Sequence, residues 1–133
     1  MDFKWDESHS VGNEVLDDQH RRLFDVLDMM NNDKGIYNRS YNAVYITYLE
    51  QFAKSHFRTE RILMVDNCYE GIEQHVESHR QLLRKLSKIK AEIDDKDIEQ
   101  RKKLIDFVLD WKVNHILTED MKLKHLFGPK VIS

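Results

Sequence analysis

The sequence predicts an all-α protein: an up-down-up-down four-helix bundle with an extended N-terminal arm and a short C-terminal helix. Two observations indicate this fold class. Apolar residues recur at i, i+3, i+4 and i+7 in four separate segments, which is the pattern of a helix that buries one face. Glycine and proline are scarce, with four and one in 133 residues, so the chain has few of the turns that many short strands need. Four helices joined by short loops favour a bundle.

The elements follow in order along the chain. Residues 1–15 carry scattered apolar side chains and Gly12, and we expect an extended arm laid against the bundle. The four helices are predicted at about 16–30, 40–65, 70–93 and 98–116, with polar breaks at 31–35, 66–67 and 94–97. Residues 118–133 are expected to form a short helix up to Phe127 and a tail. The whole chain, 1–133, is assigned to one domain whose bundle covers about 16–117.

Composition excludes several classes of function. The chain has 21 basic and 24 acidic residues and a net charge of −3, which argues against a nucleic-acid-binding protein. Apolar runs reach only four residues, as in Ile62–Val65, so no membrane-spanning segment is expected. The N-terminus has no basic segment followed by an apolar stretch, and Cys68 is the single cysteine, so we expect a cytoplasmic protein without disulfides. The basic residues between Arg80 and Lys90 are interpreted as a solvated helix face.

Metal-competent side chains interrupt the apolar stripe of every predicted helix. A histidine pair, or a histidine and a carboxylate, separated by four residues lies about 40° apart around a helix, so both side chains point the same way. The candidate ligands, from the first helix to the fourth, are His20; His56 and Glu60; His75 and His79; and His115 with Asp120.

Asp120 needs a break in the fourth helix. It follows His115 by five residues, which is about 140° around an unbroken helix. The two side chains therefore share a site only if the helix ends or bends between them. We predict that Thr118 is the N-cap of a new short helix, which supplies that break.

Burying these seven groups without partners would be costly. Each unsatisfied buried polar group costs roughly 1–3 kcal/mol, and a charged one costs more. A metal centre gives every one of them a partner. Seven ligands exceed the four of a structural zinc site and suit two octahedral ions with bridging carboxylates. Imidazole with carboxylate favours iron, manganese, cobalt or zinc.

The same residues carry a family resemblance: the sequence is similar to bacterial hemerythrin-like proteins. The match covers nearly the whole chain and fills the family's seven ligand positions in order. The matching pieces are Trp5-Asp6, Ser10-Val11-Gly12, Asp17-x-Gln19-His20 with Leu23-Phe24, His56-Phe57-x-x-Glu60, Met64, Tyr69, His75-x-x-x-His79 and Trp111-x-Val113-Asn114-His115-Ile116-x-x-x-Asp120.

The resemblance implies a non-haem di-iron centre with two iron ions joined by an oxo or hydroxo bridge. His75, His79 and His115 would bind one iron, and His20 and His56 would bind the other. Glu60 and Asp120 would bridge them. The iron with two histidines would keep an open position for dioxygen. The implied function is reversible dioxygen binding for storage, delivery or sensing, rather than catalysis, with any reductase or sensor partner left open.

The resemblance also implies an apolar oxygen pocket. Leu23, Phe57, Trp111 and Ile116 match its wall, whereas Lys112 stands where oxygen carriers usually have a leucine. Its ammonium could hydrogen-bond a bound peroxide, admit water, or extend outward on its apolar stem. The first two outcomes favour an alternative: a di-iron redox enzyme that reduces peroxide, consumes oxygen or handles nitric oxide. A sensor module and a metal store or zinc-stabilised bundle are further alternatives.

Overall fold

Four long α-helices form the body of the protein in a computed structural model, which describes residues 4–32, 42–92 and 98–127. They are α1 (Glu14–Asn32), α2 (Asn42–Asp66), α3 (Ile72–Ala91) and α4 (Ile98–Asp110). Helix α1 packs against α2 and α4, and α3 packs against the same two helices. The predicted all-α four-helix bundle is confirmed. The predicted acidic turn at 94–97, most of the predicted break at 31–35 and the tail from 128 lie outside the described residues.

The N-terminal arm, which was predicted as extended, contains one helical turn. Residues Glu7–His9 form a 3₁₀ turn. The carboxylate of Asp6 accepts a hydrogen bond from the backbone N–H of Ser8, and the backbone N–H of Asp6 donates to Nδ1 of His9. These two bonds satisfy donors at the start of the turn, which is the function of a capping box.

Asp17 fastens the arm to α1. This carboxylate is buried, and it accepts hydrogen bonds from the Ser10 hydroxyl at 2.6 Å and from the Val11 backbone N–H at 2.9 Å. Gly12 then reverses the chain at a φ of +82°, a conformation that side-chain-bearing residues rarely adopt. The oxygen of the Asn13 side chain accepts from two N–H groups of the first turn of α1. This N-cap explains why the helix begins at Glu14, two residues before its predicted start.

The apolar core is divided into two clusters. The larger one contains Leu23, Phe24, Leu49 and Trp111, and the smaller one consists of Val11, Leu16, Met64 and Leu123. His20 lies between Leu16 of the smaller cluster and Leu23 of the larger one, and Glu60 lies between Phe57 of the larger cluster and Met64 of the smaller one. The bundle therefore holds a polar layer between two apolar layers.

The C-terminal part of the bundle is irregular. After α4 the chain continues as a π-helical segment, Trp111–Ile116, and then as a 3₁₀ helix, Asp120–Leu123, and a short α-helix, α5 (Lys124–Phe127). The predicted break between His115 and Asp120 is present, but its predicted cause is wrong. Thr118 does not cap a helix, since its hydroxyl donates to the carbonyl of Val113 at 2.9 Å.

Across the described ranges, no helix is both long and apolar enough to cross a membrane.

Candidate metal centre

The structure brings all seven predicted ligands together in the polar layer, in two overlapping groups. One group consists of Glu60, His75, His79, His115 and Asp120, and the other consists of His20, His56, Glu60 and Asp120. Within each group, one ligand atom from every residue lies within 4.8 Å of the others. Both carboxylates belong to both groups. This arrangement provides two adjacent metal positions that share Glu60 and Asp120.

Regular helices position some of the ligands, and an irregular segment of the backbone positions the others. Helices α2 and α3 are regular, so the pairs His56/Glu60 and His75/His79 point inward from consecutive turns. The C-terminal ligands depend on the π-helical segment instead. There the Leu117 N–H donates to the Lys112 carbonyl, five residues back, at 2.9 Å. The wider turn and the 3₁₀ helix after it allow Asp120 to reach the same cluster as His115.

Asp120 faces both metal positions. Its Oδ1 lies 3.0 Å from Nε2 of His75 and 3.0 Å from Nε2 of His115. Its Oδ2 lies 3.1 Å from Nε2 of His20, in the other group. Each oxygen of this carboxylate therefore serves one group, which is the arrangement of a bridging ligand.

Glu60 approaches four imidazoles through a single oxygen. Its Oε1 lies 3.1 Å from Nε2 of His79, 3.3 Å from that of His56, 3.6 Å from that of His75 and 3.9 Å from that of His115. Its Oε2 is buried and has no hydrogen-bond partner among the described residues.

Several polar atoms of the cluster lie close together without forming a hydrogen bond, which tests whether a metal fits. Within the described residues, both oxygens of Asp120 and Nε2 of His75 and His115 are buried without a properly aligned hydrogen bond, although they are about 3.0 Å apart. Buried polar groups in proteins are normally satisfied, so orphans of this kind need an explanation. Ligand atoms directed at a common point between the side chains explain them, and a cation at that point, in place of the imidazole protons, fits.

The electrostatics of the cluster favour positive charge at its centre. Burial opposes protonation of His75 and His115, but the nearby carboxylates outweigh it and raise the pKa of His75 to about 9 and that of His115 to about 10. Burial opposes ionisation of Asp120 and Glu60, yet the surrounding histidines hold both pKa values well below the usual range. Burial instead dominates at His56 and lowers its pKa to about 4. The carboxylates thus stay ionised and draw cations to the site.

Outer hydrogen bonds fix two of the imidazoles. Nδ1 of His56 lies 2.6 Å from the side-chain oxygen of Gln19, whose amide nitrogen in turn donates to Thr59. The hydroxyl of Ser78 donates to the carbonyl of His75, so it accepts from Nδ1 of His115 at 3.0 Å. Nδ1 of each imidazole therefore donates outward, to the amide oxygen of Gln19 or to the hydroxyl of Ser78, and Nε2 faces the centre, where a metal ion would take the place of a proton. Neither positioning role was predicted from the sequence, in which the signal is that Gln19 and Ser78 directly precede candidate ligands.

The residues predicted to form the pocket wall are buried in the larger apolar cluster. Leu23, Phe57, Trp111 and Ile116 all belong to it. The ring of Phe57 stacks on His79 at a centroid distance of 3.8 Å and lies 5.3 Å from Trp111. The structure thus places this apolar surface directly against a candidate ligand.

Lys112 does not extend into solvent, so that option is wrong. The residue is only 8% exposed, and its ammonium lies 4.7 Å from the centroid of the Phe24 ring. The N-terminal arm lies close by, because the His9 ring packs against the same Phe24 at 5.2 Å. Hydrogen bonds from Ser8 lower the pKa of Asp6, and the charges of His9 and Lys112 add to that effect. Lys112 is therefore a buried cation next to the N-terminal arm.

Comparisons with known proteins agree with this site. A family model described as "Hemerythrin HHE cation binding domain" matches residues 11–127. "Myohemerythrin-1" of Phascolopsis gouldii is 34% identical over 125 residues, which cover 92% of each chain. "Myohemerythrin" of Theromyzon tessulatum is 30% identical over 125 residues, or 92% of this chain and 91% of that one. A "Hemerythrin-like protein" of Naegleria gruberi is 31% identical over 122 residues, or 92% of this chain and 91% of that one.

Proposed function

The chain belongs to the hemerythrin family, and on that premise we propose that it binds dioxygen reversibly at a non-haem di-iron centre. The observation that carries the proposal is the pair of histidine–carboxylate groups that share Glu60 and Asp120. The relatives described above come from invertebrates and Naegleria, so membership is confirmed for the family as a whole, and the bacterial subgroup stays a prediction.

The seven ligands divide unequally between the two metal positions. In the proposal, His75, His79 and His115 hold one iron, His20 and His56 hold the other, and the two carboxylates bridge them. This division follows the two groups of side chains. When bound, the ferrous pair supplies the electrons and the open coordination position that dioxygen binding requires. The position with fewer histidines would leave a coordination site for a small ligand.

The chain itself orients the ligands and keeps water out. Gln19 and Ser78 hold the Nδ1–H groups of two imidazoles outward, so that their Nε2 atoms face the centre without reorganisation. The buried side chains of Leu23, Trp111 and Ile116 make the adjacent space apolar. A dry apolar pocket favours a small neutral ligand such as dioxygen over water or ions.

The proposed physiological role is in the handling of dioxygen inside the cell. Reversible binding serves storage, delivery or sensing of dioxygen. Cys68 is an exposed free thiol, which fits a reducing compartment such as the cytoplasm.

A visible absorption spectrum tests the proposed function. Reduced, anaerobic, iron-loaded protein is cycled repeatedly between air and vacuum. We expect a charge-transfer band that appears in air and disappears under vacuum. A band that never forms, or that decays in the first cycle to the spectrum of the oxidised protein, would contradict reversible binding.

A second candidate function is a di-iron redox enzyme acting on peroxide, dioxygen or nitric oxide, and the buried ammonium of Lys112 favours it. A charged hydrogen-bond donor is worth about 1.5–3 kcal/mol, so one acting at the pocket changes a rate about tenfold or more. If Lys112 promotes oxidation of the centre, Lys112→Leu lengthens the lifetime of the oxygenated protein by about that factor, whereas Lys103→Leu on the surface of α4 does not. An autoxidation rate unchanged by Lys112→Leu would remove the support for this candidate.

A further inference from the structure

An exposed cluster of arginines lies on α2 and α3 outside the metal centre. We define the basic face as Arg58 and Arg61 of α2 and Arg80 and Arg84 of α3, all of which are exposed. Arg61 and Arg80 line a common groove of about 440 Å³, together with Ile72, Glu73 and Val76. Arg58 lies one turn from Arg61, and Arg84 lies one turn from Arg80. Arg61 and Arg80 thus flank the seam between α2 and α3, and Arg58 and Arg84 extend the positive charge along the exposed surface of the same two helices.

The charge of this face is largely uncompensated. Arg80 pairs with Glu77 at 3.1 Å, but within the described part of the chain no acidic group forms an ion pair with Arg58, Arg61 or Arg84. From residue 78 to residue 91 the sequence has five basic residues and no acidic one, although the whole chain has a net charge of −3. An acidic partner is therefore repelled by the protein as a whole and attracted to this face.

The basic face lies on α2 and α3, the two helices that carry four of the seven candidate ligands. Arg58 directly follows Phe57 in the sequence, and Arg80 directly follows His79. The rings of Phe57 and His79 stack at 3.8 Å with an angle of 7° between their planes. His79 is 5% exposed and is the most accessible of the seven candidate ligands, since His115 is 3% exposed and the others are fully buried.

We propose that the basic face is the docking site of an acidic one-electron carrier protein, which reduces the oxidised centre across His79. This inference rests on the proposed function, because only a redox-active centre needs such a partner. In each transfer the carrier loses one electron and one ferric ion becomes ferrous. Two transfers reduce the centre, and no covalent bond of the chain forms or breaks.

The extent of the face favours a protein over a small anion. Two arginines on each of two helices, one turn apart, spread four charges over a surface roughly 5 Å long in the helix direction. One phosphate or carboxylate engages one or two guanidinium groups at such a surface. Carboxylates distributed over the surface of an acidic protein can pair with all four guanidinium groups of the basic face.

Charge reversal tests the proposal by stopped-flow reduction of the oxidised, iron-loaded protein. The probe is a plant-type [2Fe–2S] ferredoxin, an acidic one-electron donor with a low reduction potential. At low salt we expect Arg61→Glu with Arg84→Glu to lower the second-order rate constant about tenfold and to weaken its dependence on ionic strength. The matched control, Lys103→Glu with Lys124→Glu, changes the net charge equally on other surfaces and should change the rate less than about twofold.

Two further measurements separate a loss of docking from damage to the metal centre. Arg58→Glu with Arg84→Glu leaves residue 61, beside the candidate ligand Glu60, unchanged and should reproduce the slower reduction with normal iron content. Reduction by hexaammineruthenium(II), a small cation, should be as fast or faster in both arginine variants. Equal loss of rate in the lysine control, or no loss in either arginine variant, would overturn the docking site. A wild-type protein that holds iron and accepts electrons but fails to bind dioxygen reversibly would overturn the proposed function alone.

Discussion

The two sides of the metal centre are built from different kinds of backbone. On one side, α2 and α3 are regular helices, and each presents two ligands separated by four residues. On the other side, His115 belongs to a π-helical segment, and Asp120, five residues later, begins a 3₁₀ helix. Regular helices place side chains by periodicity alone, whereas the irregular side needs extra hydrogen bonds to fix its course. The centre therefore has one side that is rigid by construction and one side whose geometry depends on local contacts.

The largest expected effect comes from removing a shared carboxylate from either side. Glu60→Ala acts on the regular side and Asp120→Ala on the irregular side, and both residues belong to both ligand groups. We expect each variant to hold at most about one iron ion per chain, against the two proposed for the wild-type protein, because both metal positions lose a ligand. Metal analysis of purified, iron-loaded protein measures this.

Glu119→Ala is the matched control for both, since it removes a carboxylate beside Asp120 that pairs with Lys122 on the surface. It should retain full iron. If Asp120→Ala also retains two iron ions while Glu60→Ala loses them, the irregular side is dispensable and the comparison between the two sides fails.

A terminal ligand on the regular side should have the next largest effect. His56→Ala removes one of two histidines from the position proposed to bind dioxygen. We expect loss of that iron and of dioxygen binding with little change in helix content by circular dichroism, because α2 extends over 25 residues and one substitution leaves its packing intact. His125→Ala, an exposed histidine near Tyr69, should change nothing. Full iron and full dioxygen binding in His56→Ala would contradict the assignment of His56.

The two sides also differ in how far the sequence predicts them. The pairs at spacing four follow directly from helical periodicity, as do the bundle and its apolar stripes. The need for a break before Asp120 was predictable from angular geometry, but its form was not. The residues Trp111–Ile116 keep an apolar pattern that suits an α-helix as well as a π-helix, and only packing distinguishes the two. Likewise, Gln19 and Ser78 reach imidazoles 37 residues away in sequence, a proximity that no local pattern contains. The helical turn of the arm was missed although Asp6, a favoured N-cap residue, precedes it.

Removal of the outer hydrogen bonds should have an intermediate effect on iron affinity, and this effect can be compared between the two sides. Gln19→Leu removes the acceptor that orients His56 on the regular side, and Ser78→Ala removes the one that orients His115 on the irregular side. Loss of such a partner typically costs about 10–100-fold in metal affinity. We expect Ser78→Ala to weaken iron binding more, because the backbone around His115 constrains that imidazole less than α2 constrains His56.

Competition with a chelator of known iron affinity measures both effects, with Gln81→Ala on the exposed face of α3 as the control. Equal losses for the two variants would show that the π-helical segment is as rigid as α2. No loss in either would mean that neither hydrogen bond orients its imidazole.

The smallest expected effect isolates the backbone itself. Thr118→Val removes the hydrogen bond from the Thr118 hydroxyl to the Val113 carbonyl, which closes the turn after the π-helical segment. Because this bond is exposed and water can replace part of it, we expect a loss of about 0.5–1 kcal/mol in the free energy of unfolding, measured by urea denaturation of the metal-free protein. Thr47→Val makes the same chemical change at an exposed position of α2 and should stay within about 0.5 kcal/mol of the free energy of unfolding of the wild-type protein.

If the irregular side depends on local contacts, Thr118→Val also weakens iron binding, since the turn sets the distance between His115 and Asp120. Unchanged iron affinity in Thr118→Val would show that coordination of the metal by His115 and Asp120 is enough to fix the turn without this hydroxyl.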